Sequence, residues 1–147
     1  MKINTQEVAG SISQLIPSII QGAQLDFLSE SPVTHSQFFI LVAIHSRVEC
    51  SMSDLAHNMH IRMPTATGLV NRLVRSHYIL RIPSANDRRK VVVRLTAKGK
   101  LFVKKFQETI QVRWNDVLKS LDQGELAQMD AIVNKLKTEL QKKNHEK

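Results

Sequence analysis

"SANDRRKVVVRLT", residues 84–96, is the stretch of sequence that is most informative about the fold of this chain and about its binding partner. It opens with turn-forming residues that end at Asp87, continues with three cations in a row, and closes with a valine-rich run. A turn of this composition before a β-branched segment predicts a β-hairpin. The cations would lie side by side near its tip, where like charges repel one another and add nothing to a core. This cluster, Arg88, Arg89 and Lys90, therefore indicates a negatively charged partner outside the chain.

The positive charge of the whole chain is concentrated around this stretch. The net charge is +8 over 147 residues, and residues 62–105 hold twelve Lys or Arg against a single acid, Asp87. The part before this segment is weakly acidic, and the part after it is balanced. A localised basic field attracts polyanions, with nucleic acid as the first candidate and an acidic membrane surface as the second.

Composition places the chain among soluble globular proteins. The length fits a single domain over residues 1–147, and 42% hydrophobic residues argue against disorder. No apolar run approaches the ~20 residues of a membrane span. The lone cysteine, Cys50, permits no intrachain disulfide, so a reducing, cytoplasmic location is expected. No nucleophile elbow, phosphate loop, zinc-protease motif or carboxylate pair is present, which predicts a protein that is not an enzyme and needs no cofactor.

Helical periodicity and capping signals predict four helices before the hairpin. Apolar residues at steps of three and four predict the first helix over about 4–29, with Pro17 expected to kink or break it. Thr34–Gln37 and Ser51–Asp54 are capping boxes that begin the second and third helices. A fourth helix is predicted over 64–76, with the proline at its first position.

The hairpin and two further helices complete the predicted order. Strands are predicted over Tyr78–Ile82 and Lys90–Leu95. Thr96 should cap a long helix that runs to about Leu121, and Asp122–Glu125 is a third capping box for the last helix. That last helix has the alternating spacing of a coiled-coil seam, with apolar positions at Leu126, Met129, Val133, Leu136 and Leu140.

A helix, a short helix, a tight turn, a polar-faced helix and a basic-tipped hairpin follow one another in the order of a winged helix-turn-helix. The predicted fold class is mainly α with a small β-hairpin wing. In this arrangement the second helix of the pair lies in the major groove of DNA. The hairpin can then reach the adjacent minor groove, which is narrow and strongly negative in A·T-rich DNA and favours an inserted arginine.

Two segments resemble the multiple-antibiotic-resistance regulator (MarR) family. They are "SDLAHNMHIRMPTATGLVNRLVRSHYILR" (53–81) and "NDRRKVVVRLTAKGK" (86–100). The second is similar to the wing signature of the family, an Asp-x-Arg followed by a strand and then Leu-Thr-x-x-Gly. The matching positions here are Asp87, Arg89, Leu95, Thr96 and Gly99.

The resemblance implies a homodimeric DNA-binding regulator of transcription, more often a repressor than an activator. It implies a DNA-binding lobe over 34–95 and dimerisation helices over 1–30 and 97–147. It also implies that Arg89 enters the minor groove while Asp87 positions it by charge-assisted hydrogen bonding. The DNA-contacting residues expected from the resemblance and from the polar face of 64–76 are Pro64, Thr65, Thr67, Asn71, Arg72, Arg75, Arg88, Arg89 and Lys90.

Two positions depart from the family pattern. The family usually has Gly after the recognition helix, where the backbone needs a positive φ, and this chain has His77 there. The family often has Arg at the position of Gly68, so one expected DNA contact is missing.

The expected partners follow from the same resemblance. A two-fold symmetric dimer requires a pseudo-palindromic operator in double-stranded DNA, with half-sites about 34–36 Å apart. A small-molecule effector is expected in the crevice between the dimerisation helices and the DNA-binding lobe.

Two other functional classes stay open at this point. One is a winged helix that binds RNA, although Tyr78 alone offers a stacking aromatic near the surface. The other is a basic adaptor for an anionic membrane or an acidic partner, although the hairpin has no exposed aromatic anchor. Competition among duplex DNA, RNA and anionic vesicles distinguishes these classes.

The single cysteine and the histidines are candidate sensor residues. The position of Cys50 favours a small apolar residue at a helix connection, with oxidant sensing as the alternative. His57 and His60 lie three residues apart, but no thiol or carboxylate accompanies them at a recognised spacing, so no metal site is predicted.

Overall fold

The computed structural model describes residues 2–145, and the chain divides into two compact units, with the boundary along the sequence between Ile110 and Gln111. The first unit holds four helices, a two-stranded antiparallel hairpin and the start of a fifth helix, and the second holds the end of that helix and the last one. The predicted fold class, mainly α with a hairpin wing, is confirmed. The elements are α1 (Thr5–Ser29), α2 (His35–His45), α3 (Met52–Asn58), α4 (Met63–Arg75), β1 (Ile79–Pro83), β2 (Val91–Leu95), α5 (Ala97–Leu118) and α6 (Gln123–His145).

The predicted capping boxes form in the structure. The Thr34 and Ser51 side chains accept hydrogen bonds from the N–H three residues on, and the Gln37 and Asp54 side chains accept from the cap N–H in return. Asp122 and Glu125 make the same reciprocal pair at 2.9 Å in each direction. Each box satisfies two of the backbone donors that a helix N-terminus otherwise leaves free.

Several predicted boundaries are shifted by a few residues. The first helix is not broken at Pro17, because α1 continues as one α-helix from Thr5 to Ser29. The fourth helix begins at Met63, so Pro64 occupies its second position rather than its first. The fifth helix ends at Leu118 rather than Leu121, where the backbone tightens into a turn. Both strands begin one residue later than predicted, and β1 extends to Pro83.

The expected positive φ at His77 is confirmed, with a value of 62°. The His77 N–H donates to the Val74 carbonyl at 3.0 Å, and the Tyr78 N–H donates to the Leu73 carbonyl at 2.9 Å. This pair of bonds is a Schellman motif, which ends α4 and turns the chain into the hairpin. The sequence did not predict that α3 ends in the same way, with His60 at φ 52°.

The core of the first unit is built around aromatic side chains. Phe38 of α2 packs edge-on against Phe106 of α5, with ring centroids 4.6 Å apart, and Phe27 of α1 packs against Phe102 at 5.0 Å. Tyr78 contacts the Phe102 ring at 5.5 Å. Each such side chain contributes about 1.5–3 kcal/mol when fully buried, so this cluster is the main hydrophobic support of α2, α5 and the hairpin.

The hairpin is joined to the helices by an isolated β-bridge in the connection between α2 and α3. β1 and β2 pair antiparallel, from Ile79 opposite Leu95 to Pro83 opposite Val91. On the other edge of β2, the Val93 N–H donates to the Cys50 carbonyl at 2.8 Å, next to a bridge between residues 51 and 92. These bonds hold the base of the wing in a fixed position against the helical part of the unit.

The second unit contains the predicted apolar seam of the last helix. Leu126, Met129 and Val133 are half-buried and line a cavity of about 550 Å³ together with Trp114. Further along α6 the apolar seam is exposed to solvent, with Leu136 48% exposed and Leu140 61% exposed. Within residues 2–145, no helix has the length and apolarity needed to cross a membrane.

Candidate nucleic-acid interface

The polar face of α4 is presented to solvent along the whole helix. Ala66, Val70 and Leu73 are fully buried beneath it, which fixes the rotation of the helix about its axis. All of the residues predicted to contact DNA from this helix lie on its exposed side: Pro64, Thr65, Thr67, Asn71, Arg72 and Arg75. Gly68 is also exposed, and a Cβ added there would meet no atom within 4 Å.

The predicted cations of the wing are solvent-exposed. Arg88, Arg89 and Lys90 follow the turn, and the Lys90 N–H donates to the Asp87 carbonyl at 2.9 Å to close it. Within residues 2–145, these three cations make no ion pair with an acid of the chain. Their charge is therefore uncompensated by the protein itself and free to act on an external anion.

Asp87 positions the wing by a different bond from the one expected. Its Oδ1 accepts a hydrogen bond from the backbone N–H of Arg89 at 3.0 Å. The guanidinium of Arg89 makes no contact with this carboxylate among the described residues. Asp87 thus sets the backbone of the turn, and the arginine side chain stays available.

Arg81 links the wing to α4, a contact that the sequence analysis missed. Its guanidinium donates to Oδ1 of Asn71 at 2.6 Å, and both side chains are exposed. The bond fixes the polar face of α4 beside β1. It also occupies one of the two lone pairs of the Asn71 amide oxygen, so one acceptor position and the N–H groups remain for an incoming base. No sequence pattern predicts this hydrogen bond, because ten residues and a turn separate Asn71 from Arg81.

The junction between α4, the hairpin and α5 depends on Thr96 and Gly99. The Thr96 hydroxyl donates to the His77 carbonyl at 2.6 Å and accepts from the Gly99 N–H at 3.1 Å. A Cβ at Gly99 would overlap the carbonyl oxygen of Tyr78 and come within 3.2 Å of its carbon. Lys98 adds a bond to the Ser76 carbonyl at 2.9 Å. The Leu-Thr-x-x-Gly pattern is therefore a close-packed joint behind the wing.

The sensor residues considered in the sequence have no reactive surroundings here. Cys50 is 1% exposed, and burial raises the pKa of its thiol; Arg47 lowers that pKa by a smaller amount, and Asp54 adds a small increase. A buried thiol with a raised pKa is a poor nucleophile, which favours the apolar role over oxidant sensing. Among residues 2–145, no cluster of three or more His, Cys, Asp or Glu is placed to hold a metal ion.

A surface cavity lies at the C-terminal end of α1 in the first unit. It has a volume of about 470 Å³, and Phe27, Pro32, Tyr78 and Phe102 form part of its lining. Lys105 adds one cation. This volume falls within the range of about 300–1,000 Å³ that is usual for small-molecule sites.

Comparison with known proteins finds a family match over the predicted DNA-binding segment. The MarR family model matches residues 33–91, the segment that runs from the start of α2 to the wing. Residues 33–91 therefore match the MarR family, and the similar proteins support a MarR-family transcriptional regulator. Members of this family are not enzymes, in agreement with the expectation from the motifs.

Individual MarR-family relatives are similar over different parts of the chain. The transcriptional regulator FarR of Neisseria gonorrhoeae is 26% identical over 90 residues, which are 61% of this chain and 62% of that protein. The transcriptional regulator Tm0710 from Thermotoga maritima has a similar fold, with a TM-score of 0.81 at 23% identity over 96% of this chain and 99% of that one. MepR of S. aureus, solved with ethidium bromide bound, has a TM-score of 0.65 at 22% identity over 89% and 95%.

Proposed function

We propose that this MarR-family chain is a homodimeric transcriptional repressor of the cytoplasm that binds double-stranded DNA at a pseudo-palindromic operator and responds to a small molecule. The observation that supports this most directly is the exposed charge of Arg88, Arg89 and Lys90 at the end of a hairpin whose first strand is bonded to the polar face of α4. Groups in this arrangement match two adjacent grooves of a duplex.

The helix α4 is proposed to enter the major groove. Thr65, Thr67 and Arg72 offer the short hydroxyls and the guanidinium that contact base edges or phosphates from a recognition helix. Pro64 and Arg75 lie at the two ends of the same exposed face and would approach the sugar-phosphate backbone. Asn71 would donate through its amide N–H groups while Arg81 holds its oxygen.

The wing is proposed to enter the neighbouring minor groove through Arg89. The narrow groove of an A·T-rich segment carries an enhanced negative potential, so a guanidinium gains more there than in a wide groove. Arg88 and Lys90 would contact the phosphates on either side, and Asp87 keeps the turn in shape from behind.

Homodimer formation is supported by unpartnered apolar side chains on the terminal helices. On α1, Val8, Ile12 and Ile16 are 45%, 39% and 43% exposed. On α6, Ile132 and Leu140 are 58% and 61% exposed. Apolar stripes of this kind usually mark an interaction surface, and a second copy of the chain supplies a matching stripe by symmetry.

A small-molecule effector is proposed for the cavity lined by Phe27, Tyr78 and Phe102. It lies at the end of α1 and beside Tyr78, which directly precedes β1, so an occupant would touch both a proposed dimerisation helix and the base of the wing. Coupling of about 1–3 kcal/mol between the two sites is enough for a switch.

A three-way competition experiment tests the proposed function. Labelled duplex DNA from the promoter of the protein's own gene is bound to the full chain, and unlabelled duplex, single-stranded RNA and anionic vesicles are added in separate titrations. The proposal expects duplex of the same sequence to compete best and a footprint with two-fold symmetric halves. Preferred competition by RNA or by vesicles would contradict it and would favour a winged helix that binds RNA or a basic membrane adaptor.

A further inference from the structure

Glu49, in the connection between α2 and α3, holds the turn of the wing through both of its carboxylate oxygens. Oε2 accepts a hydrogen bond from the Ser84 hydroxyl at 2.9 Å, and Oε1 accepts one from the Ala85 backbone N–H at 3.0 Å. Hydrogen bonds to an ionised group are about twice as strong as neutral ones. Glu49 therefore ties the wing turn to the helical part of the first unit.

The hydroxyl that Glu49 binds is sequestered from water and organises the rest of the turn. Ser84 is only 5% exposed, although it sits at the start of a surface loop. Its Oγ donates to Glu49 and also accepts from the Asn86 N–H at 3.2 Å. Asp87 then accepts from the Arg89 N–H at 3.0 Å. Two sets of side-chain bonds, joined through the peptide bond between Asn86 and Asp87, thus fix the turn from Glu49 to the backbone of the wing arginine.

The backbone that carries Glu49 is itself fixed. The next residue, Cys50, accepts a hydrogen bond from the Val93 N–H in β2 at 2.8 Å. Ser51 pairs with Val92 and also caps α3. Because the segment is held beside β2 and at the start of a helix, its carboxylate can transmit a defined position to the turn.

The negative charge of Glu49 allows an electrostatic role in DNA binding to be distinguished from a role as a tether. The Glu49 carboxylate contacts the turn that leads to the three wing cations, and its negative charge opposes the approach of DNA phosphates. If Glu49 acted only as a charge, its removal would raise the affinity for DNA. If it acts as a tether, its removal lowers the affinity, so the two roles predict effects of opposite sign.

We infer that Glu49 is a positioning residue for DNA binding: it sets the wing turn so that Arg89 is presented to the minor groove, without touching DNA itself. This inference rests on the proposed function. It assigns a role in wing placement to the α2–α3 connection, which lies outside both the recognition helix and the wing.

The test compares Glu49→Ala with Glu108→Ala, which removes the same charge from an exposed helical position in α5. The probe is the duplex that the wild-type chain selects from a random library, with A·T-rich flanks. Glu49→Ala should weaken binding about 5- to 100-fold, the range for loss of one specific contact, in spite of the more positive protein. Glu108→Ala should leave affinity unchanged or slightly raise it, and Glu49→Gln, which keeps one acceptor oxygen, should recover part of the loss.

A double-mutant cycle separates positioning from general destabilisation. In the Arg89→Ala background, Glu49→Ala should cause almost no further loss, because the group that it positions is already absent. Equal losses in both backgrounds, or a gain in affinity for Glu49→Ala alone, would overturn the inference while leaving the proposed function intact. A wild-type chain that selects no duplex would overturn both.

Hydrogen exchange in the free protein gives a readout that needs no DNA. The Ala85 and Asn86 amides should exchange faster in Glu49→Ala and Ser84→Ala than in the wild type, while amides of α5 stay protected. Unchanged exchange at these two amides would show that the tether does not hold the turn, and would overturn the inference independently of any binding result.

Discussion

Gly99 lies where the N-terminus of α5 crosses the chain just before β1, and the contact leaves no room for a side chain. A Cβ at this position would overlap the carbonyl oxygen of Tyr78, which already accepts a hydrogen bond from the Thr96 N–H at 3.0 Å. The carbonyl belongs to the backbone and cannot rotate away. Position 99, where the wing joins α5, therefore requires a residue without a Cβ.

Replacement of Gly99 by alanine should lower the free energy of unfolding by about 2–3 kcal/mol, the upper part of the range for overpacking. Chemical denaturation at equilibrium measures the change. Gly68→Ala is the matched control, because its Cβ enters open space in a helix interior and should stabilise the protein by up to about 1 kcal/mol. Equal stability of the two variants would contradict the account of this joint.

Arg89 carries the second prediction at the residue scale. Arg89→Ala should reduce affinity for an operator with A·T-rich flanks by about 1–3 kcal/mol and should affect a G·C-flanked operator less. Anisotropy titrations at one fixed salt concentration compare the two duplexes. A loss of the same size on both would mean that the arginine contacts phosphate alone, and no loss on either would remove the wing from the interface.

The elements differ in how far the sequence determines them. The capping boxes at Thr34, Ser51 and Asp122 and the positive φ at His77 were predicted, because a cap depends on residues three or four positions apart. The β-bridge beside Cys50, the Arg81–Asn71 bond and the Glu49 tether were not predicted, since their partners are brought together only by the tertiary fold.

The same contrast applies to the proposed site. Exposure of the polar face of α4 could be predicted from the spacing of Ala66, Val70 and Leu73, which places the opposite side chains outward. The bond of Asp87 to a backbone N–H instead of a guanidinium could not, because it depends on the local shape of the turn. Residue types at fixed spacing therefore reveal which groups face solvent, and only coordinates reveal what orients them.

The C-terminal end of α4 provides the prediction at the element scale. His77 adopts φ 62°, a conformation that costs a residue with a Cβ about 1–2 kcal/mol. His77→Gly should therefore raise the midpoint of thermal unfolding, with a gain near 1 kcal/mol after the greater entropy of glycine in the unfolded chain is included. Ser76→Gly, one residue earlier at φ −85°, is the control and should give no gain. A destabilised His77→Gly would contradict the strain assigned to this cap.

At the scale of the whole molecule, the account depends on a dimer formed through the terminal helices. Truncation after Gln123 removes nearly all of α6 with its exposed leucines and should abolish dimerisation. Sedimentation equilibrium of the truncated and full-length chains measures the change. A truncated chain that still sediments as a dimer would show that the interface lies elsewhere, and circular dichroism of the truncated chain checks that the winged helix remains folded.

The distribution of charge is the other property of the whole molecule. Residues 62–105 carry almost all of the uncompensated basic charge, and they include both α4 and the wing. Binding to a duplex should release the counterions condensed on each phosphate that these residues neutralise. The salt dependence of binding therefore counts the contacts that the interface makes.

The most direct test of the central claim is the affinity for duplex DNA measured over a series of salt concentrations. The logarithm of the association constant should fall linearly with the logarithm of salt concentration, with a slope of about 0.9 for each phosphate contacted, and Arg88→Ala should reduce that slope by about one. A salt-independent affinity, or an unchanged slope in the variant, would contradict the claim that the exposed cations of the wing are neutralised by a double helix.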